Sequence, residues 1–267
     1  MCVHNKMIRV GRAMLMLTVG MIAAGLIATQ LEAQNYQLSQ NGKSVGQAFV
    51  ALKKATNGFT STSGAKVDMP GLKYNFSETA LLDGNYQITK VDLNGATNGI
   101  PATVNTTQRL QPAHQFLMKI TANGKVTDTP LVFHQQSILL PDYDPGALQV
   151  LLNLGAAHNN ANIWALIPKY EGWISPLRIA TNADMQGTLD GKPVTVHHLT
   201  VTYDSAKTEI FSGPTNELLQ AEFDRGFAMV RNGFKLTPPA RPGAPPPAPP
   251  ATAPATTPPA QAPQSQQ

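Results

Sequence analysis

Cysteine is nearly missing from this chain. Its only one, Cys2, precedes the first apolar run, and no Leu-x-x-Cys-like box follows that run. Neither a disulfide nor a lipid anchor is therefore available, and a domain of about 200 residues must be held by its own core. Charge is also scarce, at 13% Asp, Glu, Lys and Arg, and no run of Lys or Arg forms a basic stripe. The pI of 9.2 reflects a net charge of +4, of which Lys6, Arg9, Arg12 and Glu32 near the start contribute +2. Nucleic acid is excluded as a partner on these grounds. His114, His134 and His158 have no Cys, His or carboxylate at ligand spacing, so no metal site is expected. Long helical patterns and cofactor loops are missing as well.

The apolar run that does exist, Ala13 to Ala28, follows the positive residues Lys6, Arg9 and Arg12 and ends before Leu31-Glu32-Ala33. That order reads as a secretory signal over residues 1–33, with Ala33 the last residue removed and either Met1 or Met7 as the start. Sixteen apolar residues fall just short of a span, so contact with a membrane is expected only through an uncleaved signal. The expected location is the periplasm or the exterior. At the other end, residues 237–267 hold 12 of the 22 prolines and one charge, Arg241. Such a segment cannot bury enough apolar surface to fold and is expected as a disordered, polyproline-like tail, either a spacer or docking element for an envelope or cell-wall partner or a solvated tail without one.

Between the two ends, turn dipeptides dominate. Six Asn-Gly pairs begin at Asn41, Asn57, Asn94, Asn98, Asn123 and Asn232, and two Asp-Gly pairs at Asp83 and Asp190, whereas 17 Asn and 21 Gly in random order give about one Asn-Gly pair. Asn-Gly is the preferred centre of a type I′ hairpin, so residues 34–236 read as an antiparallel meander. The clearest strand is Lys192 to Tyr203, rich in β-branched residues and entered through Asp190-Gly191. Met185 to Leu189 and Thr208 to Phe211 flank it, Leu218 to Phe223 and Phe227 to Leu236 make a final hairpin, and Lys66 to Ala80, Tyr86 to Asn94, Gln115 to Ala122 and Lys125 to Phe133 supply central strands. One helix is expected where Asp144 can cap, Pro145 fits the first position, Leu148, Leu151 and Leu152 share a face, and Gly155 closes. Residues 44–57 fit a strand or a helix, since Ser44 and Gln47 match a capping box; the hairpin signals on both sides favour the strand.

Asn41-Gly42-Lys43-Ser44-Val45-Gly46 resembles the opening hairpin of bacterial exported domains in which one long, curved antiparallel sheet folds around a helix. Asn216 to Phe223, followed by Phe227 to Arg231, is similar to their closing strands. This is the half-barrel architecture of periplasmic lipoprotein carriers and related envelope proteins. The resemblance covers residues 36–236 in outline and implies the fold alone. The expected architecture is therefore mainly β: a single curved antiparallel sheet or half-barrel of about 9–11 strands with one covering helix.

Catalytic motifs do not survive inspection. Gly42-Lys43-Ser44-Val45-Gly46 matches a nucleophile elbow, but that motif needs a strand turning into a helix, and Asn41-Gly42 makes this a hairpin. Ser63-Gly64-Ala65-Lys66 is a bare Ser-x-x-Lys. His197 and His198 are adjacent in a strand, point to opposite faces and cannot chelate one metal. Asp142-Tyr143-Asp144 lacks the glycine and final glutamate of a calcium loop, and capping explains it better. Trp164, Tyr170 and Trp173 lie within ten residues beside Pro168 and Pro176 and are the candidate ligand contacts, as rings over the mouth of the sheet. The competing expectation puts Trp164 in a core strand from Ile163 to Ile167 and Trp173 as a plug of the open face. The chain reads as a non-enzymatic envelope protein without cofactors, binding a lipid, another apolar molecule or a protein segment on its concave face. A structural or adaptor module acting through the tail is the alternative, and a hydrolase with an unidentified site the third reading.

Overall fold

The computed structural model describes residues 33–238 apart from Tyr170. Residues 1–32 of the expected signal, the expected tail beyond Pro238, and Tyr170 lie outside the described residues. The first half is a meander of β1 (Gln34–Gln40), β2 (Lys43–Ala55), β3 (Gly58–Met69), β4 (Leu72–Leu82), β5 (Ile88–Thr97), β6 (Ile100–Arg109), β7 (Gln115–Ala122) and β8 (Lys125–Val132). There follow β9 (Ser137–Leu139), α1 (Pro145–His158), β10 (Trp164–Ile167), β11 (Trp173–Pro176) and β12 (Arg178–Thr181). The chain then returns through β13 (Met185–Leu189), β14 (Lys192–Tyr203), β15 (Ala206–Ser212), β16 (Leu218–Phe223), β17 (Phe227–Arg231) and β18 (Phe234–Leu236).

Fifteen strands form one antiparallel sheet in the order β18-β13-β14-β15-β16-β17-β1-β2-β3-β4-β5-β6-β7-β8, with β12 also pairing β14. The two halves meet where β1 pairs β17, Tyr36 opposite Arg231 and Gln40 opposite Phe227. Among the described residues β8 and β18 end the order, so the sheet does not close. Strands β9, β10 and β11 make a second sheet of three. The architecture is thus the expected mainly β, single curved sheet with one helix, but with more strands than expected. Lys66 to Ala80 is two strands, because Pro70-Gly71 turns the chain and Gly71 takes the left-handed φ of +81° that a type II turn requires. Asn232-Gly233 likewise separates β17 from β18, and β6, with Pro101 and many polar residues, escaped the hydrophobic pattern. Residues 43–55 are strand, as favoured.

Four of the dipeptides, at Asn41, Asn98, Asn123 and Asp190, place both residues at positive φ, as type I′ turns demand. Asn94-Gly95 does not turn. Gly95 lies inside β5, where a Cβ would come within 2.4 Å of the Asn75 carbonyl oxygen and 2.9 Å of Phe76 Cβ. This is a close approach of adjacent backbones within the sheet.

Alternation sets the faces: along β4, Phe76, Glu78, Ala80 and Leu82 are buried while Asn75, Ser77, Thr79 and Leu81 are exposed. The inward side chains form one core with α1 and the small sheet, including Tyr36, Phe116, Met118, Leu151 and Leu166. A second, small cluster of Val196, Phe211, Leu219 and Phe234 lies on the other face, beneath β13 and β18. Helix α1 packs on β2, β3 and β16, and all of Pro145 to Leu152 is buried. Asp144 caps it as expected, accepting from the N–H groups of Gly146 at 2.8 Å and Ala147 at 3.1 Å. It does not end at Gly155 but runs to His158 and stops at Asn159, which is left-handed with φ 53°. Gln149 ties it to the sheet: its Nε2 donates to the Asn216 carbonyl at 2.8 Å and its Oε1 accepts from the Leu218 N–H at 3.0 Å.

Candidate functional site

The concave side is largely filled by α1 and the three-stranded sheet, and the room left lies at the N-terminal end of α1. A pocket of about 300 Å³ opens there between the segment from Leu140 to Tyr143, the β14–β15 hairpin and the β16–β17 connection. Its apolar wall includes Leu148, Leu151, Val201 and Phe223, and Tyr203, Lys169, Lys207, Asp142 and Arg225 bring polar groups to it. Lys169 pairs with Asp142 at 2.8 Å and Lys207 with Glu209 at 2.6 Å. Volume and lining fall at the lower end of small-molecule sites, with apolar walls and a few polar groups.

Two residues at this pocket, Tyr143 (φ 58°) and Arg225 (φ 61°), hold left-handed backbone conformations without being glycine. Such conformations cost about 1–3 kcal/mol and persist where surrounding contacts enforce them. For Tyr143 those contacts are aromatic: its ring lies 4.9 Å from that of Phe227, 5.3 Å from Phe223 and 6.3 Å from Tyr74. Burial, and then the Asp142 carboxylate, push its hydroxyl up to about 12, against the opposing charge of Arg225.

Behind the pocket wall lies a buried polar cluster. Glu78, 4% exposed, sits on the inner face of β4 directly opposite Ser63 of β3, and Asp144, 1% exposed, comes down on both from the start of α1. The approach is close, since a Cβ on Gly146 would fall 2.5 Å from Ser63 Oγ. Ionised, Glu78 leaves Oε2 without a partner among the described residues; protonated, it can donate to the Asp144 carboxylate. Burial and then the neighbouring Asp144 hold the Glu78 carboxyl well above the usual carboxylate range. Burial raises Asp144 too, while Ser63, its capping bonds and Glu78 act in the opposite direction. Burial thus favours the protonated form of both carboxyls, and of Glu78 the more strongly.

The two candidate tryptophans do not converge. Trp164 pairs with Pro176 and Trp173 with Ile167, so the two tryptophans stand three rungs apart, about 10 Å, on opposite faces of the β10–β11 hairpin. Trp164 stacks on His134 with ring centres 3.6 Å apart. Trp173 is half-buried and donates from Nε1 to Asp204 at 3.3 Å, which puts it next to Tyr203 and the pocket. His197 and His198 face opposite ways, His197 to Asp184 at 3.0 Å and His198 to Glu209 at 2.9 Å. Among the described residues no three His, Cys, Asp or Glu side chains gather as a metal site would need. The same alternation separates Ser63 from Lys66: Ser63 is buried and Lys66 exposed. The pocket residues carry no motif and could not be found from sequence. Glu78 could, because a charge in phase with Phe76, Ala80 and Leu82 stands on the core face.

No protein family and no curated protein matches the chain in sequence. Among solved structures it is similar to the beta-barrel-like protein of domain of unknown function DUF1849 from Brucella abortus, with a TM-score of 0.50 and 12% sequence identity over 77% of this chain and 95% of that one. At that identity the likeness establishes a β-barrel-like fold and no more.

Proposed function

We propose that the chain is an exported, non-enzymatic envelope protein that binds a small amphipathic molecule in the pocket beside α1. The observation that carries this reading is the pocket itself: apolar side chains of α1, β14 and β16 form its wall, and Lys169, Lys207, Arg225 and two tyrosines bring polar groups to it. A ligand with an apolar body and a polar end matches that lining. Export rests on the signal-like residues 1–33, and the likeness of the two terminal hairpins to those of periplasmic lipoprotein carriers agrees with an envelope role. Of the two candidate tryptophans, Trp173 stands nearer, through Asp204. Ala206, only partly buried at the pocket, offers the test: Ala206→Trp fills the space without cutting into the core. Titration with the neutral fluorophore N-phenyl-1-naphthylamine should give saturable binding to the parent protein and at least tenfold weaker binding to this variant. Equal binding by both would place the ligand elsewhere.

The alternative, an adaptor acting through residues 237–267, has one observation in its favour: α1 and the small sheet already occupy most of the concave face. Deletion of residues 239–267 distinguishes the two readings, since it should abolish envelope association under the adaptor reading and leave fluorophore binding unchanged under the pocket reading.

A further inference from the structure

We propose that Glu78 and Asp144 form a proton-operated latch on the pocket: their shared proton pins the first turn of α1 to β4, and its loss loosens that turn together with the pocket wall from Leu140 to Tyr143. The proposal rests on the pocket reading above for its consequence, though not for its mechanism.

The geometry carries it. Asp144 is at once the N-cap of α1, through its bonds from Gly146 and Ala147, and the partner of Glu78 on the sheet. The residues immediately before it, Pro141, Asp142 and Tyr143, line the pocket, as does Leu148 one turn later. Whatever moves Asp144 moves this wall. The groups facing the pair offer no compensation for a second negative charge. From β3 comes the hydroxyl of Ser63. From β4 comes Tyr74, whose hydroxyl donates to the Asp142 carbonyl at 3.4 Å. From the α1 approach come Asp142 and Tyr143. From β5 comes Leu93, opposite Glu78 in the ladder, and from β2 come Val50 and Leu52. Among the described residues, the influences on the two carboxyls include no Lys, Arg or His. Two buried carboxylates in contact cannot both remain ionised without a cation, so alkaline solution favours whichever conformation separates or hydrates them. Parting α1 from β4 does this, and it opens the first turn of α1, with the Gly146 and Ala147 N–H groups, to solvent.

Proton counting gives the direction. The native state holds a proton on Glu78 that an unfolded or unlatched chain releases above about pH 4.3. The latched state is therefore fully favoured at acid pH and progressively disfavoured as pH rises toward the native titration point. The latch closes in acid and opens in base.

The experiment compares the full exported chain with Glu78→Gln, which keeps the neutral donor but cannot ionise. Between pH 5.5 and 9, amide exchange at Gly146 and Ala147, corrected for intrinsic rates, should accelerate at least tenfold more in the parent than in the variant. The affinity for N-phenyl-1-naphthylamine should change at least fivefold over the same range in the parent alone. A second variant, Asp144→Asn, removes the like charge and should move the parent's transition at least one unit toward acid. Every histidine is retained in all three proteins, so an equal pH response in the parent and Glu78→Gln would overturn the latch, as would a flat response in the parent. If the exchange behaves as expected but the fluorophore binds at no pH, the pocket reading fails and the latch stands. If the fluorophore binds but the exchange is flat, the reverse holds.

Discussion

Replacing Gly95 by alanine tests the close approach of β4 and β5 at one atom. In an ordinary strand interior the change is favourable by about 0.5–1 kcal/mol, because glycine loses more freedom on folding. Here the new Cβ would lie 2.4 Å from the Asn75 carbonyl oxygen and 2.9 Å from Phe76 Cβ. Neither neighbour is the flexible end of a side chain, and Asn75 and Phe76 pair directly with Ala96 and Gly95, so relief requires shifting β4 against β5. Overpacking of this kind costs about 1–3 kcal/mol, and with the backbone as the obstacle we expect the upper half of that range to outweigh the entropic gain. The net loss is about 1–2 kcal/mol, or roughly 2–8 °C in Tm for a domain of this size. Gly84 is the control: a Cβ there would meet nothing within 4 Å and its φ is not left-handed, so Gly84→Ala should be neutral or slightly stabilising. Urea unfolding followed by circular dichroism measures both. Equal stability of the two variants would refute the close approach.

Three further outcomes are expected. Gln149→Leu leaves the Leu218 N–H and the Asn216 carbonyl unpaired between helix and sheet and should lower stability by about 2–4 kcal/mol in urea unfolding. Because the Glu78 carboxyl is raised by burial and by Asp144, its contribution to stability is full below about pH 4.3 and is lost as pH rises through the native titration point; Glu78→Gln should flatten that part of the stability–pH profile. Trp173→Phe removes the indole donor to Asp204 while keeping most of the ring, and should cost about 0.5–1.5 kcal/mol by thermal unfolding.

The fold was more legible than the site for a physical reason. Turn chemistry is local: Asn41-Gly42 and Asp190-Gly191 state their conformation in two residues; of the strands they enter, β14 has the expected limits and β2 lies within two residues of them. Asp144 and Pro145 likewise state a helix start. Where sequence reading failed, a local signal had two meanings. Asn94-Gly95 is the same dipeptide used for a close approach inside a strand, and Pro70-Gly71 is a turn inside what reads as one β-rich run. The pocket draws on α1, the β10–β11 turn, β14, β15 and the β16–β17 connection, which only tertiary structure unites. Trp164 and Trp173, near in sequence, are parted by the alternation of one short hairpin. Glu78 lies between these cases, visible as a charge in the core phase of β4, while its partner Asp144 is 66 residues away.

The most direct test of ligand binding is native mass spectrometry, followed by organic extraction, of the protein purified from its native source alongside Ala206→Trp. A stoichiometric small amphipathic adduct is expected on the parent protein, released by solvent and missing from the variant. An empty parent protein, or an adduct that survives filling of the pocket, would contradict ligand binding at this site.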